Sequence, residues 1–324
     1  MVPVREVTLL AAGGTIAMAG DGGAVPRLDA AALVAAIPAL AGVPGLRART
    51  LGAWPGVHVS AANALDIARA AAAEAAAGRG VVVTHGTDTL EETAVLCDLV
   101  HRGEAPIVLT GAIRPASATG ADGPANLLDA VRAAGDSATA GLGAIVAFAG
   151  ELHAAREVRK TDSVSPRAFS SPRTGPIGRV AEEHVAVWAA PVRRPPLPVA
   201  HMDARVELVA AGLGSDGALV ETAAASADGL VAVLLGAGHA PPAFLAACAA
   251  AVAEVPIVAC VRPAAGRILR ATYAFEGSER DVRAAGLILA PALSPAAARI
   301  MLMACLGAGH SRVAIAAAFA PSDP

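Results

Sequence analysis

Short runs rich in valine, isoleucine and leucine recur along this chain and alternate with segments of helical pattern. "REVTLLAA", "RGVVVTHG", "APIVLTG" and "LGAIVAFAG" read as buried strands. Between them "SAANALDIARAAAAEAAAG", "DTLEETAVLCDLVHRG" and "GPANLLDAVRAAG" read as helices, with Ser60 and Asp88 as N-caps and Pro124 in a first turn. A strand that is apolar without interruption is buried on both faces, and such strands separated by helices predict a mostly parallel sheet covered on both sides. The fold class is therefore α/β.

From Val192 to Pro198 the chain reads "VRRPPLP", a stretch that favours extended backbone and resists regular structure. After it the alternation restarts with "ARVELVAAG", a helix from about Asp216, "DGLVAVLLG", a helix from about Pro241, and "VPIVACVR". The helices "SPAAARIMLMACLG" and "SRVAIAAAF" close the chain. Two α/β domains are expected: a larger N-terminal one over 1–190 and a smaller parallel-sheet one over 204–324, joined by a proline-rich linker over 191–203.

Hydrophobic residues make up 55% of the chain and charged residues 16%, so burial is ample and disorder is not expected. A net charge of −3 and 2% aromatics argue against a nucleic-acid surface, which needs a basic footprint and stacking platforms. No run approaches the roughly 20 uninterrupted apolar residues of a membrane-spanning helix. Near the start, Ala17 and Ala19 imitate a signal-peptide cleavage site, but Arg5 and Glu6 cancel and paired glycines interrupt the apolar run, so export is not expected. Cys97, Cys248, Cys260 and Cys305 are far apart, in apolar segments, without metal-ligand spacing, which fits free thiols in a reducing cytoplasm. Small-molecule chemistry is the expectation that remains.

In open α/β sheets ligands gather at the carboxyl ends of the strands, so the polar residues just after each strand carry the information. "GGTIA" comes after the first strand and places Thr15 behind Gly13 and Gly14, a pattern that a tight turn alone also explains. "THGTDTLEETA" puts Thr87 and Asp88 at a helix start, where Asp88 also reads as a simple cap. Lys160, in "REVRKTDSV", is the only lysine among 25 Lys and Arg residues. Arginine does not give up its proton in a protein, whereas a partly buried lysine can carry one. A hydroxyl nucleophile is weak until a neighbouring base takes its proton, and a Thr–Lys–Asp relay supplies that base without histidine.

With these motifs in order, the chain resembles the bacterial L-asparaginase/glutaminase family. "GGTIA" matches that family's first threonine motif, "HGTDT" its second and "TGAIRPASATGADGPANL" (110–127) a third segment. Lys160 matches its essential lysine, and "FSSPRTGPIG" (169–178) the segment downstream of that lysine. The resemblance implies hydrolysis of L-asparagine, with L-glutamine as a second substrate, through a threonine acyl-enzyme and without metal or other cofactor. It implies Thr15 or Thr87 as nucleophile, Thr15 being the usual choice, with Thr87, Asp88 and Lys160 as the proton-relaying cluster and the N–H groups of Thr87 and Ala112 as oxyanion donors. Asp88 would also hold the substrate's α-ammonium. Glu279, in "GSERD", matches an acidic residue that reaches a neighbouring subunit's site, which implies a homodimer or homotetramer with shared sites.

The chain departs from the family pattern in three places. The loop after the first threonine, "MAGDGGAVPRLD", lacks the family's tyrosine, and the only tyrosine is Tyr273. Gly56 and Val57 stand where a Ser-Gln pair usually holds the substrate, leaving backbone N–H groups or His58 to substitute. His239 stands where an asparagine is common. These departures keep open a second class of function, a catalytically weak protein that binds amino acids or amides as a sensor or metabolic partner. A third reading, a tRNA-dependent amidotransferase subunit, lacks support, because the chain, with a net charge of −3, shows no basic surface for tRNA.

Overall fold

The computed structural model of the chain describes residues 5–20, 23–290 and 292–320. Two compact units divide between Pro196 and Leu197, inside a stretch, 188–205, without regular secondary structure. Pro191, Pro195, Pro196 and Pro198 lie in that stretch, and a residue with fixed φ and no N–H can continue neither a helix nor a sheet ladder.

In the first unit the core is a sheet. β1 (Val7–Gly13), β2 (Arg47–Trp54), β3 (Gly80–Thr84), β4 (Ile107–Thr110) and β5 (Ala144–Phe148) run parallel in the order β2-β1-β3-β4-β5. Beyond β5 the strands β6 (Glu151–Ala154), β7 (Gly178–Ala181) and β8 (His184–Val187) continue it antiparallel, giving eight strands among the described residues.

Both faces of the parallel part are covered, as the uninterrupted apolar strands require. The helices α1 (Ala61–Ala76) and α2 (Leu90–Val100) pack on each other and on one face; α3 (Gly123–Gly135) packs on β1, β3, β4 and β5. Alternation along β1 sends Val7, Leu9 and Ala11 into a cluster with Leu127 and Ala130 of α3. Leu10, also fully buried, points the other way. Each such leucine contributes about 1.5–3 kcal/mol of transfer free energy.

The caps decide where the site residues fall. Ser60 caps α1, its Oγ accepting the Asn63 N–H at 3.1 Å, and Pro124 stands in the first turn of α3. The expectation for Asp88 is corrected: the N-cap position of α2 belongs to Thr89, and the Asp88 carboxylate is engaged by a more distant partner.

In the second unit β9 (Val206–Ala210), β10 (Gly229–Leu234), β11 (Ile257–Val261) and β12 (Ile288–Leu289) form a four-stranded parallel sheet in chain order. Its helices are α4 (Ala218–Ala224), α5 (Pro242–Ala251), α6 (Glu279–Ala284), α7 (Pro295–Gly307) and α8 (Arg312–Phe319). Phe244 and Cys248 of α5 join Leu230, Ala232 and Leu234 of β10 in one cluster. On the other face α7 comes so close that a Cβ on Gly229 would lie 3.0 Å from Leu302 Cδ2. All four cysteines are free and buried. Burial pushes the Cys97 and Cys248 thiols up to about 12. Among the described residues no helix is long and apolar enough to cross a membrane.

Candidate active site

The strand order reverses at β1: the chain leaves it toward β2 on one side and returns to β3 on the other. A crevice opens at such a switch point beyond the carboxyl ends of the strands. Three loops meet there through glycines. Gly14 has φ 81°, and a Cβ on it would lie 2.4 Å from the Gly86 nitrogen. A Cβ on Gly86 would lie 2.4 Å from the Gly56 Cα. Only residues without side chains allow backbones to touch in this way. Thr15 and Thr87 each come directly after the touching Gly14–Gly86 pair, so the two hydroxyl residues are held on adjoining loops.

Lys160 reaches the second of these loops. It sits in a two-stranded antiparallel ladder, Arg159–Lys160 with Phe169–Ser170. Its ammonium donates to Thr87 Oγ1 at 3.0 Å and to Asp88 Oδ1 at 2.7 Å. The lysine side chain is 19% exposed and that of Asp88 57%, so the cation is sheltered while the carboxylate remains open to solvent and to a ligand. Thr87 is buried.

The loop after β4 closes the other side. A Cβ on Gly111 would lie 2.6 Å from the His85 carbonyl oxygen and 3.3 Å from Thr87 Cγ2. Asp122 shapes this loop, its carboxylate accepting from the N–H groups of Ile113 and Arg114 and from Asn126 Nδ2. Asn126 in turn donates to the Gly111 carbonyl at 3.0 Å. Ala112 lies between Gly111, which packs on Thr87, and Ile113, both held by these bonds. Among the described residues, the backbone bonds of these turns use the N–H of neither Thr87 nor Ala112. Two fixed N–H groups on adjoining loops are what an oxyanion site requires.

Thr15 opens a short turn, Thr15–Ala17, and is half-buried. Ile16 behind it is buried, and a Cβ on Gly123 of α3 would lie 2.8 Å from its Cγ1. The next loop, which lacks a tyrosine, forms a small hairpin, Met18–Ala19 with Val25–Pro26; its residues 21 and 22 lie outside the described residues. Gly56 is buried on the floor of the crevice, and its carbonyl accepts from Thr89 Oγ1 at 2.8 Å. Val57 and His58, in the same turn, are exposed.

His239 and Glu279 belong to the second unit, where they face each other at 3.5 Å between Nε2 and Oε2. The resemblance has Glu279 extending toward a neighbouring subunit, but its side chain is fully buried and turned inward, accepting the Tyr273 N–H at 2.8 Å. Burial works to raise its pKa. The N–H groups of Tyr273, Glu279 and Thr272, with His239, outweigh that and hold the carboxyl below its ordinary value. Tyr273 and Phe275 stack edgewise on His239 with centroids 4.9 and 5.0 Å away, and the two residues are 42% and 50% exposed.

Two residues of the first unit were not singled out by the sequence. His85 is completely buried, with Nδ1 2.9 Å from the Gly86 carbonyl and Nε2 3.1 Å from Thr93 Oγ1. A carbonyl only accepts, so Nδ1 carries the hydrogen and Nε2 accepts from Thr93. Burial lowers the pKa of this ring, with the Gly86 carbonyl opposing, and His85 stays neutral while it pins the Gly86 peptide beneath Thr87. Glu91, in the first turn of α2, accepts the backbone N–H of Lys160.

Fold and site together define a two-unit α/β protein with a threonine, lysine and aspartate cluster at the switch point of its larger sheet. Residues 6–193 match the family model of the asparaginase N-terminal domain, and residues 205–319 that of the glutaminase/asparaginase C-terminal domain. The chain belongs to the asparaginase/glutaminase family. It is 37% identical to a probable L-asparaginase of Deinococcus radiodurans over 95% of this chain and 94% of that one. It is similar to a probable periplasmic L-asparaginase of Haemophilus influenzae, 35% identical over 57% of this chain and 55% of the other. A glutaminase-asparaginase of Pseudomonas aeruginosa is 37% identical over 59% of this chain and 55% of its own.

Proposed function

We propose that this protein is an L-asparaginase, converting L-asparagine to L-aspartate and ammonia through a covalent threonine ester. The observation that carries the reading is the Lys160 ammonium shared between the Thr87 hydroxyl and the Asp88 carboxylate, beside a second threonine loop. Thr15 Oγ1 attacks the side-chain amide carbon of the substrate, and its proton passes to the departing nitrogen, which leaves as ammonia. Water then attacks the aspartyl ester, and its proton returns to the Thr15 oxygen as the ester bond breaks. Thr87, Asp88 and Lys160 carry protons in both steps, in the manner of a general base that activates a weak hydroxyl. The N–H groups of Thr87 and Ala112 hold the negative charge that develops on the amide oxygen.

The open carboxylate of Asp88 suits the substrate's α-ammonium. The N–H groups of Gly56 and Val57, with His58, suit its α-carboxylate, the task given elsewhere in the family to a Ser-Gln pair. L-Glutamine is the second substrate, a reading supported by the glutaminase-asparaginase relatives. The active form is a homodimer or homotetramer. The exposed rings of Tyr273 and Phe275, tied by Glu279 to the second unit, support an interface there. Four buried free thiols support residence in the reducing cytoplasm.

The test is ammonia release from L-asparagine, L-glutamine and D-asparagine at millimolar substrate. Release from L-asparagine is expected to exceed the others. A protein that binds L-aspartate and releases no ammonia from any of them is a sensor and not an enzyme.

A further inference from the structure

Lys160 is gripped at two places by one short segment. Residues 87 and 88 take its ammonium. Three residues after Asp88, the Glu91 side chain takes its backbone, with the Lys160 N–H donating to Oε2 at 2.5 Å. The ladder that carries Lys160 explains why this second grip is needed. Arg159–Lys160 and Phe169–Ser170 form a sheet of their own, separate from the eight-stranded one. The inner side of that hairpin is satisfied locally, as in the Thr161 N–H to Ala168 carbonyl bond of 2.7 Å. The Lys160 N–H faces outward toward α2 and finds Glu91, which links the hairpin to the helix that begins at the catalytic threonine loop.

We infer that Glu91 is a positioning residue: it fixes the backbone of Lys160 so that the ammonium, four rotatable bonds away, stays between Thr87 and Asp88. The inference rests on the reading of Lys160 as the relay. Lysine carries about 2 kcal/mol of side-chain rotamer entropy, and an unanchored backbone would add hairpin motion to it. Displacements of about 1 Å at a reacting group cost on the order of a hundredfold in rate. Glu91 is sheltered, and burial raises its carboxyl pKa, with the Lys160 N–H opposing. An oxygen is available to accept that N–H in either protonation state, and the amide oxygen of glutamine has the same capacity.

Glu91→Gln keeps both size and acceptor, whereas Glu91→Met keeps size alone. For L-asparagine hydrolysis, Glu91→Gln is expected to hold kcat within about threefold, and Glu91→Met to lower kcat by about tenfold or more with KM little changed. Because Lys160 is the only lysine, full-length protein labelled with 15N-lysine gives one backbone amide resonance, a readout that does not depend on activity. Its proton should shift upfield in Glu91→Met and stay near its wild-type position in Glu91→Gln. Equal kcat losses in both variants, or an unmoved resonance in Glu91→Met, overturn the positioning role. Lys160→Met is measured alongside. If it is inactive while Glu91→Met is fully active, Glu91 alone is wrongly assigned; if it is fully active, the relay falls and Glu91's role falls with it.

Discussion

The ammonium of Lys160 donates to the Thr87 hydroxyl oxygen at 3.0 Å, across 73 residues of sequence. In a chain that otherwise places arginine wherever it needs a cation, this contact gives the one lysine a chemical reason to be there.

Lys160→Arg keeps the charge and removes the transferable proton. Turnover is expected to fall by about 10²–10⁴-fold, the range for losing a general acid–base group. Circular dichroism and Tm should stay close to wild type, because the guanidinium can still pair with Asp88. Near-normal turnover would remove proton transfer from the role of this residue.

The glycine contact between the first two threonine loops makes a sharper structural prediction. Gly14→Ala has a left-handed φ of 81° and backbone atoms of residue 86 at 2.4 Å, neither of which can yield cheaply. Gly78 also has a positive φ, 83°, but nothing within 4 Å of its missing Cβ. Gly78→Ala should lose only about 1 kcal/mol of backbone preference, and Gly14→Ala about 1–3 kcal/mol more for overpacking, together with most of its activity. Urea midpoints and kcat for the two variants check this, and equal midpoints would show that the loops are not in tight contact.

His85, His101 and His153 are buried, and in each burial is the largest cause of a pKa lowered from 6.5. The unfolded chain binds more protons than the folded one below that value. Their stabilising contribution is full above pH 6.5 and is lost as pH falls from there toward the folded-state values. Urea unfolding between about pH 8 and about pH 5.5 should show this decline, and His101→Gln should shallow it. A flat profile in wild type would mean that these rings titrate in the fold as they do in the unfolded chain.

Assembly is testable by complementation. Thr15→Ala and Glu279→Ala chains, each expected to be inactive alone, should regain part of the activity when exchanged into mixed oligomers, because some sites then combine an intact Thr15 from one chain with a Tyr273 loop held by an intact Glu279 in the other. The buried Glu279 acts there by holding the Tyr273 loop. Demonstrated exchange with no recovery would confine Glu279 to its own chain.

The parallel strands were legible because both of their faces are buried, which leaves an unbroken apolar run such as "VVVT" in β3. β2 was not: as an edge strand it exposes Arg47, Ala48, Arg49 and Thr50, and it reads as loop. The antiparallel β6–β8 are four residues each, too short to show a period. Thr15, Thr87, Asp88 and Lys160 were legible as chemistry, since their residue types stand out after strand ends. The role of Asp88 as a cap was the wrong local reading, because an ion pair with a residue 72 positions away outcompetes a bond to its own helix. Glu91 offered no signal, since an acidic residue in a first turn reads as a partner of the helix dipole. Only the hairpin's return to α2 shows what it holds.

The most direct measurement is the location of the covalent intermediate. Protein quenched in acid during turnover of a slow amide or ester substrate, then digested and sequenced by mass spectrometry, is expected to carry the acyl group on Thr15. The same adduct on Thr87, or no adduct while ammonia is being released, would contradict a mechanism in which Thr15 attacks and Lys160, Thr87 and Asp88 relay the proton.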